Sequence, residues 1–192
     1  VSTTKIMDLI LLKYKNNNYE EIKKCMVNLD KESLNRLNIN KNDKTILNEI
    51  LFTRGDPEII LRKLKNIYGY NNVIEELECL FNTLSKIAKK YNIKLQLDPT
   101  YQPHLNLYEG IVFQLICENY GFKSIIAKGG RYDELVRFFN PKEKIINGIG
   151  FTISIDNLRD LIIEKSQSKK KVLLLFKDSY LLDIGINQQK AL

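Results

Sequence analysis

The sequence predicts an α+β fold, with a helical region over residues 1–91 and a strand-bearing core over residues 92–164. Three observations predict it. Apolar residues in the first part recur at three- and four-residue spacing, the signature of a helix face. From Ile93 onward the period shortens to alternation and to β-branched, aromatic runs, which read as strands. The polar, lysine-rich residues 165–171 then read as a linker. After it, Val172-Leu173-Leu174-Leu175-Phe176 has the pattern of a buried strand, so residues 172–192 look like the start of a C-terminal α/β segment.

Taken in order, residues 2–27 read as helical. Ile6, Leu9 and Ile10 share one face, and Ile22, Cys25 and Met26 share the face of a second helix beyond the polar break at residues 15–18. Asp30 or Ser33 is placed to cap a short third helix. Residues 43–53 predict a helix with Asp43 as N-cap and Ile46, Leu47, Ile50 and Leu51 inward. Gly55-Asp56-Pro57 is a turn into another, with Asp56 as N-cap and Pro57 in the first helical position, where its missing N–H costs nothing. That helix carries Ile60, Leu64 and Ile67 and ends near Tyr68-Gly69. Asn71 or Asn72 opens a long amphipathic helix to about Lys90, with Leu77, Leu80, Phe81, Leu84 and Ile87 inward. Nothing in this part has catalytic spacing, and it reads as a solvated helical subdomain.

Ile93-Lys94-Leu95-Gln96-Leu97 alternates, which predicts a half-buried strand. Residues 111–116 and 124–128 predict two more. A helix runs from about Tyr132 to Phe139. Residues 151–155 have few polar side chains and predict a well-buried strand, followed by a helix over residues 158–163.

Composition narrows the function. The chain has 192 residues, 44% of them hydrophobic, enough for a packed core. No apolar run is long enough to span a bilayer, and no leader pattern is evident. A start at Val1 rather than Met suggests an excerpt of a longer protein. Three isolated cysteines, Cys25, Cys79 and Cys117, with a single histidine, His104, do not make a zinc site. Unpaired thiols suit a reducing cytoplasm. The net charge of +7 reflects lysine spread along the whole chain more than a nucleic-acid footprint, because no aromatic-interleaved basic stripe accompanies it.

Three segments carry candidate chemistry. The first is Gln102-Pro103-His104-Leu105-Asn106-Leu107-Tyr108-Glu109-Gly110-Ile111-Val112-Phe113. The second is Ala127-Lys128-Gly129-Gly130-Arg131-Tyr132-Asp133. The third runs from Gly148 through Gly150 and Phe151 to Asn157-Leu158. Glycines at 129, 130 and 150 let backbone approach a ligand without a Cβ in the way, and Gly129-Gly130 reads as a turn. Tyr108 and Tyr132 each lie two residues from a glycine and offer a flat ring and one hydroxyl. His104 has no reacting group named near it and reads as structural or surface.

In this order the segments resemble the catalytic domain of class II histidyl-tRNA synthetase, which carries R-G-L-D-Y-Y-T-G-x-V-F, A-G-G-R-Y-D and G-F-x-x-G-x-E-R-L. The resemblance implies an antiparallel class II sheet flanked by helices, with residues 1–91 as an insertion. It implies that Tyr108 and Tyr132 contact a histidine-like ligand over Gly129, Gly130 and Gly150. The arginines of the first and third motifs fall on Pro103 and Asn157. A single cation stabilising phosphoryl charge contributes on the order of 10³-fold in rate, so losing both predicts binding without adenylate formation. A family that keeps the scaffold with these losses is the regulatory subunit of ATP phosphoribosyltransferase, which this chain resembles more than it does an active synthetase. That implies no catalytic residue, no cofactor and no metal in this chain. It also implies a hetero-oligomer with the short catalytic subunit, self-association, histidine as a possible ligand, and a cytoplasmic role in histidine biosynthesis and its feedback regulation. An active histidyl-tRNA synthetase, or a synthetase-like tRNA-binding or regulatory module, is the alternative.

Overall fold

A computed structural model describes residues 1–14, 18–103, 107–119, 122–142 and 147–161. The linker and the C-terminal α/β segment expected beyond residue 164 lie outside these residues, as does His104.

The chain opens with a two-residue strand, β1 (Ser2–Thr3), and enters α1 (Thr4–Leu11), which ends in a 3-10 turn at Leu12–Tyr14. The expectation of helix from residue 2 fails at this point. Ser2 and Thr3 pair with Val112 and Ile111, and the Thr4 hydroxyl accepts a hydrogen bond from the Gly110 N–H at 2.8 Å. Five helices follow: α2 (Tyr19–Asn28), α3 (Lys31–Arg36), α4 (Lys41–Leu51), α5 (Pro57–Tyr68) and α6 (Asn72–Lys90). Their starts are chemically encoded. Asp30, Asp56 and Asn71 each accept hydrogen bonds from N–H groups of the first turn, which no intrahelical carbonyl can reach. α4 starts earlier than expected. Asn40, not Asp43, is its N-cap, accepting from the Asp43 N–H at 2.8 Å. Asp43 is itself buried, with its carboxylate 2.6 Å from Lys13 Nζ and hydrogen-bonded by the Asn40 side chain. Burial and this carboxylate push the Tyr14 hydroxyl up.

One core joins these helices. Ile6, Ile10, Met26, Leu47, Leu64 and Leu77 belong to it, all essentially inaccessible to water. Two expectations are corrected at its rim. Ile87 is 51% exposed, and Ile74 and Ala88 turn inward on α6 instead. Residues 93–97 form no strand. Only Leu97 bridges to Gly55, through Leu97 N–H to Gly55 O at 2.9 Å and Gly55 N–H to Leu97 O at 3.1 Å. The alternation instead reflects an extended segment that buries Leu97 and exposes Ile93.

The sheet is antiparallel throughout, in the order β1, β2 (Ile111–Asn119), β3 (Phe122–Arg131), β4 (Ile149–Ile153). α7 (Asp133–Phe139) separates β3 from β4, and α8 (Ile155–Leu161) follows β4. β4 is an edge strand among the described residues and is not buried as expected, since Ile149, Phe151 and Ile153 are all exposed. Its apolar composition reports a greasy surface, not an enclosed strand.

Asn71 holds the start of α6 by accepting from the Val73 and Ile74 N–H groups at 3.1 and 3.2 Å. Asn71→Ala is expected to lower stability by ~1 kcal/mol in urea unfolding. An unchanged midpoint would show that the cap contributes nothing.

Candidate functional site

The site is built on one face of β2 and β3. Gln114 stands opposite Lys128, and Val112 opposite Gly130, so these four share a face. The Gly129-Gly130 pair is not the turn expected from sequence: both glycines lie inside β3. Their use is in what they omit. A Cβ on Gly130 would sit 2.8 Å from Tyr108 Cδ1, and one on Gly150, its partner across β4, would sit 2.6 Å from Tyr132 Oη. Both tyrosine rings therefore rest directly on bare backbone.

The two rings do different work. Tyr108 and Gly129 line a cleft of about 400 Å³ with segment 98–103, the end of α2, Gln114 and Lys128. Tyr132 is not among the lining residues. Its hydroxyl donates to the Ile149 carbonyl at 3.0 Å, and its N–H donates to the Gly148 carbonyl at 2.8 Å. Of the five residues named from sequence, Tyr108 and Gly129 thus reach the cleft, while Gly130, Gly150 and Tyr132 shape the sheet beside it.

Sequence reading missed part of the scaffold. Arg131 Nε donates to Asp133 Oδ2 at 2.7 Å, and Arg131 Nη2 to Asn147 Oδ1 at 2.9 Å. Asp133 Oδ1 accepts from the buried Gly148 N–H at 3.0 Å, and the Arg131 carbonyl accepts from the Glu109 N–H at 2.7 Å. These bonds tie all three motif segments together. The Arg131 guanidinium and then the Gly148 N–H hold the Asp133 carboxyl below the usual carboxylate range. The available signal was a cation and an anion two residues apart, flanking the aromatic of the motif. In the cleft itself, burial pushes the Tyr101 hydroxyl up against an opposing hydrogen bond with Gln114.

Of the two positions noted for lost arginines, Pro103 lines the cleft and brings no donor or charge to it. Asn157 lies on α8 and donates through Nδ2 to the Ile125 carbonyl at 2.9 Å, tying the helix to β3. Among the described residues no group of three or more His, Cys, Asp and Glu side chains could hold a metal ion. No described helix is long and apolar enough to cross a membrane.

The sequence model of the histidyl-tRNA synthetase family matches residues 1–158. The chain belongs to that family. It is 84% identical over 192 residues to an ATP phosphoribosyltransferase regulatory subunit of Prochlorococcus marinus subsp. pastoris, covering all of this chain and 50% of that protein. The chain thus spans about half the length of the curated relatives it matches. In fold it is similar to a Bacillus halodurans protein described as an ATP phosphoribosyltransferase regulatory subunit/histidyl-tRNA synthetase, with a TM-score of 0.68 at 20% identity, over 83% of this chain and 43% of that one. It is also similar to the histidyl-tRNA synthetase of Nostoc sp. PCC 7120, with a TM-score of 0.62 at 19% identity, over 96% of this chain and 41% of that one. The α+β architecture with an antiparallel sheet is the class II one that the motifs implied.

Because its folded pKa is depressed, Asp133 contributes stability that is full above its unfolded value of about 3.9 and is lost as pH falls through the folded value. Asp133→Asn is expected to be less stable than the wild type at neutral pH, with the gap closing in acid. Urea midpoints across that range measure it, and a constant gap would contradict the assignment.

Proposed function

We propose that this chain is part of a non-catalytic regulatory subunit of ATP phosphoribosyltransferase. In this reading it acts with the short catalytic subunit in the first step of histidine biosynthesis and in its feedback regulation by histidine. The observation that carries the reading is the 84% identity, along the whole chain, to one half of a protein of that name. The site agrees with it. An adenylate-forming enzyme needs cations where phosphoryl charge develops. Pro103 supplies none, and the Asn157 side chain is engaged with the Ile125 carbonyl. Tyr108 over Gly130, with Gly129 beside it, leaves a surface that binds without reacting. Tyr132 and Gly150 hold the adjoining strand.

Two measurements test the reading. Histidine-dependent pyrophosphate exchange by the full-length protein is expected to be absent, and exchange at a synthetase-like rate would return the chain to the catalytic class. Addition of the full-length protein to the catalytic subunit is expected to raise phosphoribosyl transfer and to make it sensitive to histidine. An unchanged rate with no co-elution of the two proteins would remove the proposal.

A further inference from the structure

The chain contains a single Asn-Gly step, Asn147-Gly148, at the entry to β4. An asparagine is chemically most vulnerable before a glycine, which has no Cβ to hinder approach or restrict the backbone. The Gly148 nitrogen gives up its proton and bonds to Asn147 Cγ. The C–N bond of the side-chain amide breaks, and ammonia leaves with that proton. One water then opens the resulting succinimide at either carbonyl, giving aspartate or isoaspartate.

The fold treats the two halves of this step differently. Asn147 is exposed to the water the reaction needs, whereas Gly148 is buried. Two hydrogen bonds oppose the attack. The Gly148 N–H donates to Asp133 Oδ1 at 3.0 Å. Removing that proton would set an anionic nitrogen against a carboxylate, and like charges in contact disfavour each other. Arg131 Nη2 donates to Asn147 Oδ1 at 2.9 Å and fixes the side-chain amide. Both bonds come from one ion pair, with Arg131 Nη2 2.6 Å from Asp133 Oδ2. Asp133 is only 6% exposed, so water does not compete for its oxygens.

We propose that Asn147 is a site of spontaneous deamidation and that the Arg131–Asp133 pair holds it shut in the folded protein. The product acts on the same pair. Aspartate at 147 sets a second carboxylate against the Arg131 guanidinium, in competition with Asp133. Isoaspartate reroutes the main chain through the side-chain carbon and inserts one CH2 ahead of Gly148. That glycine has no room to shift. A Cβ on it would stand 2.5 Å from Val136 Cγ2 and 2.8 Å from Tyr132 Cδ2, and its carbonyl accepts the Tyr132 N–H at 2.8 Å. Loss of ammonia makes the change one-way, so each opened chain loses the tie between β4 and Tyr132.

The test is mass spectrometry of the full-length protein aged at mildly alkaline pH, with the peptide that carries residue 147 scored for aspartate and isoaspartate. Folded wild type is expected to convert about ten-fold or more slowly than guanidinium-unfolded wild type, the worth of a hydrogen bond to a charged acceptor. Equal rates overturn the proposal. Asp133→Ala removes the acceptor and is expected to recover most of that difference while still folded. Asp133→Asn keeps an acceptor without the charge and is expected to fall between. Thermal melts verify that each variant is folded at the ageing temperature, and if Asp133→Ala is not, Asp133→Asn carries the comparison. The Asn71-Asn72 step, at the start of α6, is the internal reference and is expected to age alike in all three proteins. A folded variant that ages at 147 like the wild type overturns the proposal. So does acceleration at 147 no greater than at Asn71, which marks general loosening.

Discussion

Two glycines opposed across adjacent strands set the thickness of the site. Gly130 and Gly150 are direct partners in β3 and β4, and each bears an aromatic ring where a Cβ would otherwise stand. Any side chain at either position would displace Tyr108 or Tyr132, and with them the segments that carry those rings. Tyr108 would move off the cleft wall. Tyr132 would lose its bond to the Ile149 carbonyl, and its N–H would pull away from Gly148. The Arg131–Asp133 pair then holds the geometry, because its carboxylate reaches the Gly148 N–H that β4 itself leaves unpaired. The motif is thus one mechanical unit: glycines make room, tyrosines fill it, and an ion pair fixes the distance.

The two parts of the chain are stabilised differently. The helices enclose a water-free core and start on side-chain caps, so both their packing and their boundaries have local causes. The sheet shares little of that core. Val112 is buried, and the strand pair to Ser2 and Thr3 ties β2 to the start of α1. The opposite face carries Phe113 and Phe151 flanking Gly129, with ring centroids 6.5 Å apart, and exposed Leu115 and Ile153. One face of the sheet therefore presents the polar cleft and the other a broad apolar surface.

Electrostatics follow the same division. The helical part spends its charges on surface pairs such as Lys5–Glu76 and Lys63–Glu49, each of which contributes little. The cleft concentrates few charges, but in a confined space. Asp98, Gln102 and Lys128 come from segments 26 to 30 residues apart in sequence, counting from the first two to the third, and no local pattern joins them.

Much of this was legible in the residues themselves. The helices, the cap Asp56, the caps Asp30 and Asn71 as one of two candidates each, and the strands of the β2–β3 pair were readable because period and capping chemistry are local. The motif order was enough to imply the class II architecture. Errors arose wherever a partner distant in sequence decided the outcome. Ser2 and Thr3 became a strand because β2 was there to pair with them. Asp43 was drawn inward by Lys13, leaving Asn40 to cap α4. β4 is apolar yet exposed, since periodicity reports composition and not what covers it. The same limit governs the site. Sequence alone marked where the backbone of the motifs lacks a Cβ, because that is a property of the residue. Only the tertiary structure decided that Tyr108 faces the cleft and Tyr132 does not, and that Lys128 joins Asp98 and Gln102 there, because strand register, not sequence distance, sets which side chains share a face.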